Sequence, residues 1–213
     1  MKVLGISGSP RKDSTTDQLV KEVLGGVDCQ KEFISLAGLN IGGCIACLGC
    51  VKTNVCVVKD DMAALREKIV SADAYVIGGA NYFSLLNGLT HCFLERWYQF
   101  RHREATAVAG KLGVAVGVGG SGGDQPAANI QTFFQYNRIE CVGSVTAQGA
   151  ASCFVCGYGE DCKVGAIHAF FGPGTKITEA MTPSLAKQPE ARAKARQLGK
   201  DLSRRLRDFA QAT

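Results

Sequence analysis

One short stretch of the chain holds four cysteines in the pattern C-x2-C-x2-C-x5-C, at Cys44, Cys47, Cys50 and Cys56. The spacing is close to the C-x2-C-x2-C-x3-C run of bacterial ferredoxins, in which one loop wraps a cubane and presents several thiolates to its irons. Glycines at positions 42, 43 and 49 let the backbone bend around such a centre, because glycine adopts positive φ without a Cβ clash. The run therefore favours an iron–sulfur cluster.

Two other uses of these thiols stay open. Zinc also accepts four thiolates, although structural zinc sites usually split into two separated pairs. Reduced thiols or redox-active pairs are the second alternative, whereas disulfides between such close neighbours have poor geometry and gain little loop entropy. The chain has ten cysteines and begins with a strand pattern instead of an export signal, so we expect a reducing compartment and a cytoplasmic protein.

Composition sets the broad class. The chain has 213 residues, of which 46% are hydrophobic and 20% charged, as is typical of a soluble globular protein. We expect one domain over residues 1–213, because this length supports a single substantial core. A net charge of +5 gives no reason to invoke nucleic acid, and no apolar run approaches the length of a membrane span.

A turn rich in hydroxyls follows the first apolar run, residues 2–6. It reads Ser-Gly-Ser-Pro-Arg-Lys-Asp-Ser-Thr-Thr from position 7 to position 16 and leads into an amphipathic helix. A strand, such a turn and a helix N-terminus form a phosphate-binding arrangement, because backbone amides and the helix dipole face the anion. The turn lacks the Walker A and G-x-G-x-x-G patterns, which disfavours a nucleoside triphosphate or a conventional dinucleotide site. Simple helix capping is the alternative interpretation.

The remaining pattern is a series of strands and helices. Apolar runs at residues 31–36, 74–79, 111–118 and 139–145 predict four further strands, and helical periodicity separates most of them. Five βα units predict a doubly wound parallel sheet. Residues 80–83, Ala-Asn-Tyr-Phe, and the glycine-rich stretch 119–123 follow two of these strands, where α/β sheets bind ligands. Asp60 is predicted to cap the helix that begins near Met62.

A second cysteine segment interrupts the pattern at residues 148–182. Cys153, Cys156 and Cys162 form a C-x2-C-x5-C run, which lacks a fourth ligand unless Cys141, His168 or another subunit supplies it. A second metal site, a disulfide or redox pair, and a cysteine-bearing structural loop all stay open. His91 and His102 are predicted to be surface or capping residues, not ligands.

Together, these motifs resemble the flavodoxin-like NADPH-dependent FMN reductases over residues 1–145, and the cysteine run after the second strand resembles the iron–sulfur flavoproteins of anaerobic bacteria and archaea. The resemblance implies a five-stranded flavodoxin-like sheet of order 2-1-3-4-5, with the cluster loop at residues 43–57. It implies that FMN phosphate is held by Ser7, Ser9, Arg11, Ser14, Thr15 and Thr16. It implies that the rest of FMN is framed by Ala80, Asn81, Tyr82, Phe83, Gly119, Gly120, Ser121 and Gly123. It also implies a [4Fe-4S] cluster on Cys44, Cys47, Cys50 and Cys56.

The resemblance also implies a function. FMN exchanges electrons in pairs or singly and a cluster exchanges them singly, so the expected protein couples ferredoxin-like carriers to small acceptors such as quinones or oxygen species, with no catalytic side chain. We expect a homodimer or homotetramer in which one subunit's cluster approaches another's FMN. An NAD(P)H-dependent flavin or quinone reductase with structural thiols and a non-catalytic redox-sensing module are the alternatives. This chain departs from the family at Ala80 and Asn81, where proline is common.

Overall fold

The computed structural model describes residues 1–103 and 107–212, and its centre is a parallel β-sheet. When only the five parallel strands are numbered along the chain, their order in the sheet is 2-1-3-4-5, which confirms the predicted flavodoxin-like topology. A sixth strand of two residues lies between the third and fourth of these in sequence and pairs antiparallel with the end of the third. The strands are β1 (Lys2–Ser7), β2 (Gln30–Ser35), β3 (Ala74–Tyr82), β4 (Leu85–Leu86), β5 (Leu112–Gly119) and β6 (Glu140–Gln148).

Six α-helices surround the sheet in the described part of the chain. The final helix begins at Pro189, after a 3-10 turn at Leu185–Lys187, and proline is favoured at a first helical position. A second 3-10 turn, Arg96–Phe100, extends α3. The helices are α1 (Thr15–Gly25), α2 (Met62–Ser71), α3 (Gly88–Glu95), α4 (Asp124–Tyr136), α5 (Ala166–Phe171) and α6 (Pro189–Ala212).

Each face of the sheet covers a separate hydrophobic core. One core includes Leu19 and Val23 of α1 and Leu202 of α6. The other surrounds Trp97, which is fully buried and whose ring lies 5.0 Å from that of Tyr75 in an edge-on arrangement. The central strands are buried on both faces, which is why they read as continuous apolar runs. The core around Trp97 also contains Phe93 and Phe100, so it fixes α3 and its 3-10 extension against the sheet. The long connection between β2 and α2, where the cysteine run lies, contacts this extension.

None of the helices in the described ranges combines the length and the hydropathy needed to cross a membrane.

Candidate functional site

The phosphate-type turn connects β1 with α1 at the carboxyl edge of the sheet. Ser14 adopts an extended conformation and its Oγ accepts a hydrogen bond from the amide of Asp17, at 3.1 Å, so it caps α1. The amides of Thr15 and Thr16 lie in the first turn, where the helix itself offers them no acceptor. The side chain of Thr16 is buried against Gly78 of β3. Thr16 therefore presents its backbone amide, and not its hydroxyl, at the N-terminus of α1.

Two further serines lie beneath this turn. The Oγ atom of Ser9 accepts from the amide of Arg11 at 3.2 Å, which closes the turn. The Oγ atom of Ser7 is fully buried and has no hydrogen-bond partner among the residues the structure describes. A buried hydroxyl without a partner is costly, so this atom fits a turn that receives a hydrogen-bonding ligand. These contacts favour anion binding over simple capping, which engages only Ser14.

Arg11 joins the turn to the segment that follows β6. Its Nη1 donates to the carbonyl of Ala150 at 3.1 Å and its Nη2 donates to Oγ of Ser152 at 3.0 Å. The predicted cationic residue of the turn therefore lies at its outer rim, held by two contacts from a part of the chain that is distant in sequence.

Asn87 organises this edge of the sheet, and the sequence interpretation missed it. Its Nδ2 donates to the carbonyl of Gly8 at 2.8 Å, and its Oδ1 accepts from the amide of Ala80 at 3.0 Å. Thr90 also donates to the carbonyl of Gly8, at 3.0 Å. A Cβ on Gly8 would lie 1.9 Å from Oγ1 of Thr90, so only glycine fits here. The Asn-Gly pair after β4 was the available signal, since asparagine commonly bonds to nearby backbone in turns.

The aromatic stretch after β3 forms a tight hairpin. Phe83 and Ser84 have φ angles of 55° and 61°, and they connect β3 with β4. Two consecutive residues with positive φ are typical of a type I′ turn, and non-glycine residues in this conformation store strain, often at functional sites. Phe83 is 98% exposed at the tip, and Tyr82 is also exposed. The hairpin thus presents two aromatic side chains at the carboxyl edge of the sheet.

The glycine-rich loop packs closely against β5. Nδ2 of Asn81 donates to the carbonyl of Gly122 at 3.0 Å, which joins the loop to the end of β3. A Cβ on Gly123 would lie 2.0 Å from the carbonyl oxygen of Gly117, so the backbone approach excludes a side chain. Gly119 ends β5, and Gly120 and Ser121 form the turn beyond it. The structure therefore brings all three predicted FMN-contacting segments to one edge.

The four cysteines of the first run line one cavity of about 350 Å³. Cys50 is buried, Cys44 and Cys47 are exposed, and Cys56 is intermediate. Burial, reinforced by the neighbouring thiols, raises the pKa of Cys50. Within residues 1–103 and 107–212, no three potential ligands already form a metal-binding group, so the thiols share a cavity without converging.

The 3-10 extension of α3 holds this cavity in place through contacts with both ends of the loop. Glu95 accepts from the amide of Cys44 at 3.0 Å, and Gln99 accepts from the amide of Cys56 at 3.0 Å. Nε2 of His102 lies 3.1 Å from Sγ of Cys50, although the sequence pattern placed this histidine at the surface or at a helix cap. The sequence pattern did not predict this contact. Residues 95, 99 and 102 recur at helical spacing, which is the signal that could have identified them.

A buried ion pair closes the base of the loop. The side chains of Arg96 and Asp60 are 1% and 6% exposed, and they form a salt bridge. Asp60 Oδ1 accepts from the amide of Met62, the first residue of α2, at 3.1 Å. The N-cap position itself is Asp61, one residue later than predicted, and its side chain makes no capping hydrogen bond. Burial alone would raise the pKa of Asp60, but the hydrogen bond and charge of Arg96, with the amide of Gly42, hold that pKa below its ordinary value.

Arg96 also contributes to the cavity wall. Its Nη1 donates to the carbonyl of Gly42 at 3.1 Å, and its Nε is buried without a hydrogen-bond partner in the described residues. An unsatisfied N–H of a guanidinium at the wall of a thiol-lined cavity fits a negatively charged occupant.

The second cysteine segment is less organised. Sγ of Cys153 accepts from the amide of Ala166 at 3.3 Å, and Sγ of Cys156 accepts from the amide of Tyr158 at 3.4 Å. All ten cysteines of the chain are free thiols, so the disulfide suggested for this segment is absent from the described residues. Nε2 of His168 is buried without a described partner.

The fold and the phosphate-type edge define a flavodoxin-like protein, and comparison with known proteins identifies the family. A model of NADPH-dependent FMN reductases matches residues 1–151. An iron–sulfur flavoprotein of Methanocaldococcus jannaschii is 33% identical over 149 residues, which are 67% of this chain and 76% of that protein. An iron–sulfur flavoprotein of Methanosarcina thermophila is 30% identical over 144 residues, 65% of this chain and 74% of that protein.

Solved structures agree on the fold. A flavone reductase aligns with a TM-score of 0.62 at 18% identity, over 100% of this chain and 65% of the other. A flavodoxin from the domain Archaea aligns with a TM-score of 0.54 at 13% identity, over 97% and 99%. The chain belongs to the iron–sulfur flavoprotein group of the NADPH-dependent FMN reductase family. It is a flavin-dependent oxidoreductase, and the family match supports FMN as its cofactor.

Proposed function

We propose that this protein is an electron-transfer oxidoreductase that holds FMN and a [4Fe-4S] cluster and couples single-electron carriers to two-electron chemistry. The observation that carries the proposal is the cavity lined by Cys44, Cys47, Cys50 and Cys56. When bound, the cluster would exchange single electrons while FMN exchanges one or two, which is the chemistry needed for this conversion.

For FMN, we propose that the turn at residues 7–16 binds the phosphate. The support is the capped N-terminus of α1, the unpartnered hydroxyl of Ser7 and the cation of Arg11 at the rim. The residues assigned to the phosphate are Ser7, Ser9, Arg11, Ser14, Thr15 and Thr16. Those assigned to the ribityl chain and ring are Ala80, Asn81, Tyr82, Phe83, Gly119, Gly120, Ser121 and Gly123.

For the cluster, the chemistry of the donor set fits, because four thiolates are the usual ligands of a cubane. Cys50 provides a buried anchor, and backbone contacts from Glu95 and Gln99 fix the loop near its first and last cysteines. The unsatisfied Nε–H of Arg96 offers a donor to the negatively charged sulfur environment.

For partners, we propose a ferredoxin-like carrier or NAD(P)H as donor, a quinone or an oxygen species as acceptor, and assembly as a homodimer or homotetramer. The support for assembly is the exposed apolar surface beside both sites: Ile45 is 70% exposed and Leu48 61%, in addition to Phe83. Large apolar side chains grouped in this way mark interaction surfaces. Ten free thiols support a reducing compartment such as the cytoplasm.

The test is anaerobic purification followed by measurement of FMN, iron and sulfide and by rapid reduction with either reduced ferredoxin or NADPH. We expect FMN, a broad cluster absorbance in the visible range, and faster flavin reduction by ferredoxin. Stoichiometric flavin reduction by NADPH that is undiminished after the iron is removed would replace this proposal with the NAD(P)H-dependent reductase suggested by the family model.

A further inference from the structure

The imidazole of His102 is directed at one thiol of the first cysteine run. Its Nε2 lies 3.1 Å from Sγ of Cys50, which is the buried cysteine of the four. We propose that His102 is a positioning residue that raises the reduction potential of the iron–sulfur centre by donating a hydrogen bond to the Cys50 sulfur. This inference rests on the proposed function, because it requires Cys50 to be a cluster ligand.

The ring of His102 is held in its orientation by contacts on more than one side. The aromatic ring of Tyr98 meets it edge-on, with centroids 5.2 Å apart and planes at 85°. Tyr98 itself lines the cavity that the cysteines share. Next to the histidine, Arg103 donates to the carbonyl of Lys52 at 3.3 Å, which joins this part of the chain to the cysteine loop. The imidazole is therefore fixed between an aromatic ring and a thiol.

The contact to Cys50 differs from the other contacts that reach the loop. Glu95 and Gln99 bind the backbone amides of Cys44 and Cys56 and so position the chain. Neither of the other two histidines contacts a thiol of this run within the described residues: His91 pairs instead with Glu95. His102 is thus the imidazole placed to act on the electronic properties of a sulfur.

The physical consequence follows from charge. Reduction adds an electron to the cluster and increases the negative charge on its sulfurs, so an N–H donor at a ligating sulfur stabilises the reduced state more than the oxidised state. Hydrogen bonds to ligand sulfurs and other outer contacts tune cluster potentials in this way. Loss of the donor should therefore make the cluster harder to reduce.

The experiment is an EPR-monitored redox titration of anaerobically reconstituted protein at one fixed pH. The variants are His102→Ala, which removes the donor, His102→Gln, which places an amide N–H in a similar position, and His168→Ala, in α5 and without a contact to the first cysteine run in the described residues, as the control. We expect His102→Ala to lower the cluster midpoint by about 59 mV, which corresponds to about a tenfold change in a one-electron equilibrium. We expect His102→Gln to recover most of that shift and His168→Ala to match the wild type.

Iron content and the two-electron FMN potential are measured in the same samples, and both should be unchanged in all variants. An unchanged midpoint in His102→Ala would overturn the inference, as would loss of iron from that variant, since His102 would then be a ligand or a structural support. If the wild type itself lacks a cluster signal, the proposed function fails and this inference fails with it. A normal wild-type signal with no shift would contradict the role of His102 alone.

Discussion

The buried ion pair between Asp60 and Arg96 gives the most quantitative prediction. Replacing Asp60 with asparagine keeps the size of the side chain but removes the negative charge beside a guanidinium that is 1% exposed. The pair closes the base of the cysteine loop, and Oδ1 of Asp60 also accepts a hydrogen bond from the amide of Met62, the first residue of α2. The substitution should therefore destabilise the fold around the loop.

The magnitude follows from burial. Removing one partner of a buried ion pair leaves an uncompensated charge and typically costs about 3–5 kcal/mol. Because the introduced asparagine could still accept one of the backbone hydrogen bonds that Asp60 receives from Gly42 and Met62, we expect a loss of about 3 kcal/mol. With an m-value of about 3 kcal/mol/M in urea, the midpoint of unfolding should fall by about 1 M.

Urea unfolding of the FMN-loaded protein, followed by far-UV circular dichroism and by fluorescence of the single tryptophan, Trp97, measures this loss. The matched control is Glu67→Gln, which removes one partner of the solvent-exposed pair with Arg66 and should change stability by less than about 0.5 kcal/mol. A loss in Asp60→Asn no larger than that of the control would refute the reasoning.

The pH dependence has a defined sign. Burial works to raise the pKa of Asp60, but Arg96 holds it below the ordinary value, so the contribution of the pair is fully present above the unfolded-state pKa and is lost as the pH falls through the folded-state pKa. The difference in stability between wild type and Asp60→Asn should therefore be constant near neutral pH and shrink below about pH 4. A difference that grew in acid would contradict this assignment.

Three further substitutions test the edge of the sheet to which FMN binding is assigned. Ser9→Glu should expel FMN, because a carboxylate would face the phosphate in the same anion site, and flavin retained at wild-type occupancy would remove the phosphate assignment. Gly117→Ala should destabilise the protein by about 1–3 kcal/mol, because the added Cβ would overlap the carbonyl of Gly123. Gly88→Ala, with open space around the added Cβ, should not, and equal thermal stability of the two variants would contradict the packing. Asn87→Asp should weaken FMN binding roughly tenfold in equilibrium dialysis, because an oxygen would replace the donor to the carbonyl of Gly8, and unaltered affinity would show that the contact does not position the turn.

The sequence was most informative where local patterns coincide with burial. Parallel strands covered on both faces appear as continuous apolar runs, so the central strands could be predicted, whereas the order of the strands came from the family resemblance. The β4 hairpin could not, because its turn uses Phe83 and Ser84 at positive φ instead of the Asn-Gly or Asp-Gly pairs that mark such turns. Residues 80–83 were therefore predicted only as the segment that follows a strand at the ligand-binding edge, without a hairpin.

The contacts around the cysteine cavity were missed for a different reason. Asp60 and Arg96 are 36 residues apart, and His102 is 52 residues from Cys50. A local interpretation can place Asp60 near the start of α2, but it cannot show that the chain folds back to place Arg96 beside Asp60 and His102 beside Cys50. The hypothesis about the four cysteines rests on their spacing, whereas the residues that contact their loop could be found only in the tertiary structure.

The central claim is that the first cysteine run, and not the second, holds a [4Fe-4S] cluster. The most direct measurement is the iron and sulfide content of anaerobically purified wild type, Cys50→Ala and Cys156→Ala. We expect about four irons per chain in the wild type, a nearly unchanged content in Cys156→Ala, and loss of most of the iron in Cys50→Ala, because a cubane with one ligand missing exposes an iron to water. A full complement of iron in Cys50→Ala, or its loss only in Cys156→Ala, would contradict the claim.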